Sequence, residues 1–307
     1  MVVAVAVAQV VPARQMWAEA MPARGLCVHL GPSLAPYLAT GVERMRPATL
    51  SAMAAERGAT PFPKLSVFFP MWNEEAYIDR ALEAATTECR HLLARNEILD
   101  YELIVVDDAS TDHTAKLADE MAAADPHVKV VHHPLNRKLG GSIKTGFATA
   151  TGDLVLYSDA DLPFDMTEVS RAIHLMRYYE ADIVSAFRFD RTGEGSLRTV
   201  YTFFYNFLIR RLFGVRMRDI NFAFKLCRRS IFDHISLSSE GSFIDAELII
   251  RAKMLGFNVI QFGVDYFPRT RGQSTLASVS VIRKIVSEML QLRRELRHLQ
   301  PVQRPFT

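Results

Sequence analysis

Asp159 and Asp161 stand two residues apart in LYSDADLPFD (156–165), at the end of an apolar run. On an extended backbone, residues i and i+2 point the same way, so both carboxylates can face one site. Like charges held that close repel, and each loses water when it is partly buried. A cation has to offset that cost. Mg2+ or Mn2+ suits the pair, because hard divalent ions take oxygen ligands and commonly bridge protein carboxylates to a diphosphate. A nearby arginine is the other candidate. The same spacing also occurs in turns, where Asp bonds to its own backbone. Its place at a strand end in an α/β pattern favours the metal.

Other polar groups follow other apolar runs. Asn73 and Glu74 come after Pro70 in FPMWNEE, and Asp107 and Asp108 end the run in VVDDASTDHT. Asp108 can accept from a nucleobase N–H or a ribose hydroxyl, as acids do at nucleotide sites of α/β folds. It can equally cap the next helix with Ser110, and one acid of the two can do each job. LGGSIKTG (139–146) lacks both the G-x-x-x-x-G-K-[ST] and the G-x-G-x-x-G spacing, so neither fingerprint applies. Its glycines point instead to a close backbone approach to a ligand or to tight helix packing. Residues 188–229 hold nine arginines and one lysine against three acids. Arginine's forked donors suit phosphate, whereas Arg228, Arg229, Arg293 and Arg294 read as a solvated basic face.

The elements that must position these groups alternate. KLSVFFP (64–70), YELIVVDD (101–108), HVKVVHH (127–133), DLVLYSD (153–159) and ADIVSAF (181–187) read as strands. Helices are expected from Asn73 to about residue 96, over 110–125 with Ser110 or Thr111 as cap, over 139–151 and near 166–180. This predicts an α/β fold with a mostly parallel sheet and helices on both faces. In such sheets ligands bind outside the carboxyl ends of the strands, where the polar groups fall. Farther on, 197–213 reads as an aromatic-rich helix, either core or lying in a membrane interface with Arg210 and Arg211. Residues 220–232 and 256–267 read as later strands or strand–helix units, and 278–299 as an amphipathic helix with a basic face.

The chain has 307 residues, 49% of them apolar, and a formal charge of +2. That length and apolar content support a sizeable core. Near-neutral charge and the absence of a recognised module argue against nucleic acid as partner. Three cysteines stand far apart with no metal spacing, which predicts buried thiols in a reduced, cytoplasmic protein. No run of about 20 apolar residues occurs, so no transmembrane helix is expected. Residues 1–60 show no convincing periodicity and are expected to be a poorly ordered extension of one domain over 64–300.

The ordered set FPMWNEE, VVDDASTDHT, NRKLGGSIKTGFATATGD, YSDADLP and RTRGQS resembles the family 2 glycosyltransferases of the GT-A fold, a Rossmann-like α/β architecture. Within them the chain is most similar to dolichol-phosphate mannose synthases and polyprenyl-phosphate glucosyltransferases. The resemblance implies a nucleotide-binding half over about 64–165 and an acceptor half over about 166–276. It implies Pro70, Asn73, Glu74 and Asp108 at the nucleotide, and Asp159 and Asp161 at the metal and diphosphate. It implies Arg188 and Arg198 at the donor and acceptor phosphates, and Asp219 on the acceptor side. Arg269, Gly272 and Ser274 would belong to a loop that closes on the diphosphate. Pro163 and Thr275 depart from the pattern: relatives often carry a polar ligand at the first and a lysine at the second.

The implied reaction is inverting hexosyl transfer from GDP-mannose or UDP-glucose to a polyprenyl phosphate. A lipid phosphate is already anionic near neutral pH and needs no base, and the aromatic helix would meet the lipid at the cytoplasmic membrane face. A hydroxyl acceptor would need a base, for which Asp219 and Asp245, in SFIDAEL, are the candidates. A catalytically silent nucleotide-sugar binder is the third reading.

Overall fold

The computed structural model describes residues 60–189, 196–267 and 279–296, with the side chains of 196–204 and 279–284 outside that description. The expected N-terminal extension lies outside it except for Thr60. The strands are β1 (Leu65–Met71), β2 (Tyr101–Asp107), β3 (Val128–His132), β4 (Leu154–Ser158), β5 (Ile183–Arg188), β6 (Phe224–Arg228) and β7 (Val259–Val264). The helices are α1 (Ile78–Ala94), α2 (Thr114–Ala124), α3 (Lys138–Thr149), α4 (Glu168–Tyr178), α5 (Ser196–Phe213), α6 (Ile244–Met254) and α7 (Val279–Leu296).

The strands form one sheet in the order β3-β2-β1-β4-β6-β5-β7. β6 runs antiparallel to β4 and β5, and the remaining pairs are parallel. β2 is buried at every position and β1 at all but Pro70, which is why they read as continuous apolar runs. Alternate residues supply opposite faces. Leu65, Val67 and Phe69 join α1 and α4 through Ile78, Leu82, Val169 and Ile173. Phe68, Val155 and Tyr157 join α3 and α6 through Ile143, Phe147, Leu248 and Ile249.

Pro70 sits inside β1 because β4 pairs with that strand only as far as Phe68↔Tyr157. No ladder bond is therefore asked of its missing N–H on that side. The glycines of α3 serve packing: a Cβ on Gly146 would lie 2.2 Å from the buried Phe68 ring, and one on Gly140 2.4 Å from the Ser239 carbonyl oxygen.

Some expectations shift. α2 begins at Thr114 rather than at 110, because Ser110 and Thr111 are bonded to the preceding loop. α1 begins at Ile78, and Asn73 does not cap it. The 220–232 segment is the short strand β6 followed by a 3-10 turn at Arg229–Asp233. α6 lies outside the expected elements. Eight of its eleven residues are buried, Asp245 and Glu247 among them, and a helix buried nearly all round with charges on its buried side shows little amphipathic period.

Candidate active site

The carboxyl ends of β1, β2, β4 and β5 and the start of antiparallel β6 share one edge of the sheet, as the register Met71↔Asp107↔His132 and Ser158↔Phe224 requires. Seven non-glycine residues among those described have positive φ. Five of them, Asn73, Ala109, Lys138, Leu162 and Asp219, lie in or beside the loops of this edge. Such conformations cost energy and collect where the surroundings hold a site in shape.

Two of these loops are laced together. Asn73 adopts φ 56°, a region Asn tolerates better than most residues. Its Oδ1 accepts from Thr111 N at 2.7 Å, and its own N–H donates to Ser110 Oγ at 3.0 Å. Glu74 N–H donates to Thr114 Oγ1 at 2.9 Å. Glu75 closes the reciprocal bonds, donating from its N–H to Asp112 and accepting from His113 N–H and Nδ1. The sequence FPMWNEE and the sequence VVDDASTDHT therefore build one floor between them.

The two acids that end β2 divide their work. Asp107 holds the turn: Oδ1 accepts from Ser110 N at 3.0 Å and Oδ2 lies 2.9 Å from His132 Nδ1. His132 reaches Asp119 with its other nitrogen at 3.0 Å, and these hydrogen bonds hold its pKa above the ordinary value. Asp108 does not cap α2. Its Oδ1 accepts from Arg137 N at 2.7 Å and lies 2.6 Å from His133 Nδ1, while His133 Nε2 lies 2.8 Å from Thr145 Oγ1. A carboxylate can only accept, so Nδ1 carries the proton in that pair. His133, Thr145 and Arg137 thus orient Asp108, and no spacing rule in the sequence pointed to them.

Asp159 and Asp161 leave the end of β4 at the same edge. The Tyr157 hydroxyl donates to Asp159 Oδ1 at 3.1 Å. Burial, then the charge of Asp159, pushes that phenol far above its ordinary pKa, so it remains a donor. Tyr157 is held from below by Phe68, stacked at 5.5 Å. No cluster of three or more His, Cys, Asp or Glu is placed for a metal among the described residues. Two adjacent carboxylates still suit Mg2+ or Mn2+, which usually keep waters and complete their shell with substrate phosphate oxygens.

On the other side of β4 the structure joins two predicted residues. Arg188, the last residue of β5, donates from Nε to Asp219 Oδ2 at 2.6 Å and from Nη2 to Oδ1 at 2.9 Å. Its guanidinium also lies 4.9 Å from the Tyr266 ring centroid. Asp245 is not at the surface of the cleft. It sits in the first turn of α6, buried, with Oδ1 2.6 Å from the Nζ of Lys225, which is itself 0% exposed. Burial pushes the Asp245 carboxyl up, and Lys225 opposes that rise. Arg198 lies in α5 with its side chain outside the described residues, as do Arg269, Gly272 and Ser274 entirely. No described helix is long and apolar enough to cross a membrane.

Known proteins resemble the chain in sequence and in fold. Glycosyltransferase AglD of Haloferax volcanii is 29% identical over 229 residues, 73% of this chain and 35% of that protein. The undecaprenyl-phosphate 4-deoxy-4-formamido-L-arabinose transferase of Aeromonas hydrophila is 30% identical over 226 residues, 73% of this chain and 66% of its own. The chain thus spans between about a third and two thirds of the length of these relatives. Among solved structures, glucosyl-3-phosphoglycerate synthase of Mycobacterium tuberculosis with Mn2+ and UDP-glucose superposes with a TM-score of 0.59 at 20% identity, covering 81% of this chain and 85% of that one. The Pyrobaculum calidifontis mannosyltransferase with GDP-mannose and Mn2+ gives 0.53 at 18%, covering 83% and 73%. The family model for glycosyl transferase family 2 matches residues 66–236, more than half of the chain, and with the GT-A sheet around that segment, the chain belongs to the family 2 glycosyltransferases.

Proposed function

We propose that this glycosyltransferase moves a hexose, with inversion, from GDP-mannose or UDP-glucose to a polyprenyl phosphate at a membrane surface. The observation that carries the choice of acceptor is that both candidate bases are engaged by cations. Asp219 gives both oxygens to Arg188, and Asp245 is buried against Lys225. A carboxylate whose two oxygens accept from a guanidinium is poorly placed to take a hydroxyl proton, and one buried against an ammonium is out of reach of the acceptor, whereas a hydroxyl acceptor needs a base. A phosphate acceptor does not. The arabinose transferase relative, whose name specifies undecaprenyl phosphate, supports the same choice.

In this reading Asp108, oriented by His133 and the Arg137 N–H, accepts from the nucleobase or its ribose. The laced loops of Asn73, Glu74 and Thr111 carry the nucleoside. Asp159 and Asp161 hold Mg2+ or Mn2+, with Tyr157 fixing Asp159. The bound cation supplies charge neutralisation to the leaving diphosphate. Arg269, Gly272 and Ser274, outside the described residues, are assigned to that diphosphate by the family motif alone. Arg188 and Arg198 bring the acceptor phosphate to the anomeric carbon, and Asp219 is a positioning residue that fixes the Arg188 guanidinium. The phosphate oxygen forms the new bond to the anomeric carbon as the bond to the nucleoside diphosphate breaks.

The test is transfer of radiolabelled hexose from either donor into an organic-extractable lipid, with EDTA and Asp161→Ala as controls. Label in the lipid phase that both controls abolish is expected. Metal-dependent release of nucleoside diphosphate with a soluble hydroxyl acceptor, and none with the lipid, would replace this reading with a hydroxyl transferase. Of Asp245→Asn and Asp219→Asn, the one that removes the base would then cost about the 100- to 10,000-fold typical of a lost base.

A further inference from the structure

We propose that His133, by occupying one oxygen of Asp108, makes the site select a uracil base over guanine, so that the donor is a uridine diphosphate sugar. This rests on the reading that Asp108 faces the nucleobase, and goes beyond it to which base is taken and which residue decides. Each oxygen of a carboxylate has about two lone-pair sites. Those of Asp108 Oδ1 are spent inside the protein, on Arg137 N at 2.7 Å and on His133 Nδ1 at 2.6 Å. Oδ2 takes no hydrogen bond among the described residues, and it is not shut off from solvent. A ligand therefore meets one free oxygen rather than two.

The surroundings hold Asp108 in that state. Its N–H donates to the Met71 carbonyl at 2.8 Å, and its own carbonyl accepts from Asn136 Nδ2 at 3.2 Å. Asn136 Oδ1 accepts from Lys138 N at 3.1 Å, and Lys138 turns at φ 62°, which fixes the turn that delivers the Arg137 N–H. A Cβ on Gly141 would lie 2.4 Å from the Arg137 Cβ, so glycine there lets the turn fold back on α3. His133 is buried, with Nε2 2.8 Å from Thr145 Oγ1, and that hydroxyl accepts from Arg137 Nη1 at 3.4 Å. The donors run one way. Arg137 leaves the Thr145 hydroxyl to donate to Nε2, and a neutral ring then carries its proton on Nδ1, toward Asp108. Half a turn of the carboxylate only exchanges its oxygens.

The bases differ in what they bring to a single acceptor. Uracil presents one N–H, at N3, between two carbonyls. Guanine presents N1–H and the N2 amino group side by side, a pair that matches both oxygens of a carboxylate. Against Oδ2 alone one of those donors goes unmatched, which costs about ten- to a hundredfold in affinity. Cytosine and adenine set an unprotonated ring nitrogen beside their amino group, and the carboxylate repels its lone pair. An Asp108 with both oxygens free would serve guanine as well, so the choice lies with His133.

Binding of UDP, GDP, CDP and ADP to the full chain with Mn2+ is measured by isothermal titration calorimetry. UDP is expected to bind about ten- to a hundredfold more tightly than GDP. His133→Ala removes the bond to Oδ1 and lets the carboxylate pivot to offer both oxygens, and Thr145→Val releases the far side of the imidazole. His133→Ala should shrink the UDP-over-GDP ratio about tenfold, and Thr145→Val should shrink it less. A merely structural defect would weaken all four nucleotides alike, so the ratio separates selection from support. Thermal unfolding checks that each variant folds, and Thr145→Val carries the test if His133→Ala does not. Binding of GDP, CDP or ADP as tightly as UDP, or a ratio that neither variant changes, would overturn the proposal and leave Asp108 at the nucleobase. Binding of none of the four would remove that placement as well. No acceptor is present, so the outcome is independent of whether the acceptor is a lipid phosphate.

Discussion

Asp219 faces Arg188 oxygen for nitrogen, 2.6 Å from Nε and 2.9 Å from Nη2, across the junction between the end of β5 and the loop before β6. The carboxylate does so from a backbone at φ 41°, outside the regions most residues adopt. A two-pronged pair fixes the plane of the guanidinium as well as its position. Lysine cannot reproduce that fork. Arg188→Lys should therefore lower kcat/KM for the acceptor about ten- to a hundredfold, equivalent to roughly 1.5–3 kcal/mol. Steady-state kinetics that leave it within about twofold would show that Arg188 serves only to hold the loop.

Tyr157→Phe removes one hydroxyl from a ring that stays stacked on Phe68. Because that hydroxyl donates to Asp159 Oδ1, its loss should weaken Mn2+ binding in the presence of nucleoside diphosphate about tenfold. Electron paramagnetic resonance of free Mn2+ reads the affinity directly, apart from turnover. An unchanged affinity would mean that the bond only satisfies the phenol.

Lys225 and Asp245 should show the asymmetry of a buried pair. Lys225→Met leaves a buried carboxylate without its cation and should cost about 3–5 kcal/mol, whereas Lys225→Met/Asp245→Leu should recover most of that loss. Urea unfolding of the two variants measures the difference. A cost below about 1 kcal/mol for Lys225→Met would place the pair in contact with water.

Glu102 sets an acid limit on stability. Burial pushes its carboxyl up, but hydrogen bonds from Lys129, Ser66 and Thr151 outweigh burial and bring it down to about 2. Its folded-state value is thus below the unfolded one. The stabilisation, on the order of 3 kcal/mol, is complete above about pH 4.5 and is lost as pH falls toward 2. Glu102→Gln should flatten that acid limb when the urea midpoint is followed from neutral pH downward.

Gly146→Ala should destabilise by about 1–3 kcal/mol, since its Cβ would meet the buried Phe68 ring. A thermal melt checks it. An unchanged midpoint would mean that the ring moves aside at little cost.

Local order set much of this protein. Apolar runs broken by turn residues placed the first five strands within a residue or two; β1, β2, β4 and β5 are largely buried on both faces and need no partner information to be recognised, and the half-exposed edge strand β3 was carried by its β-branched residues. The order of short motifs placed Asn73, Asp108, Asp159 and Asp161 at the carboxyl ends of strands, and their backbones lie there. α6 was not legible, because its burial on nearly all sides erases the period that marks a surface helix. Nor did sequence show that Asp107 would engage Ser110 and His132 while Asp108 engages His133 and Arg137, since both stand on the same short stretch.

Tertiary structure decided who pairs with whom. Arg188 and Asp219 are 31 residues apart, Asn73 and Thr111 38 apart, and Lys225 meets Asp245 only once α6 packs on the sheet. Sequence by itself determined which groups could ionise and which strand ends would present them. Whether a carboxylate stands ready as a base or is tied to a cation depends on distances between segments, and those are set by the antiparallel entry of β6 beside β4 and by the helices that cover it.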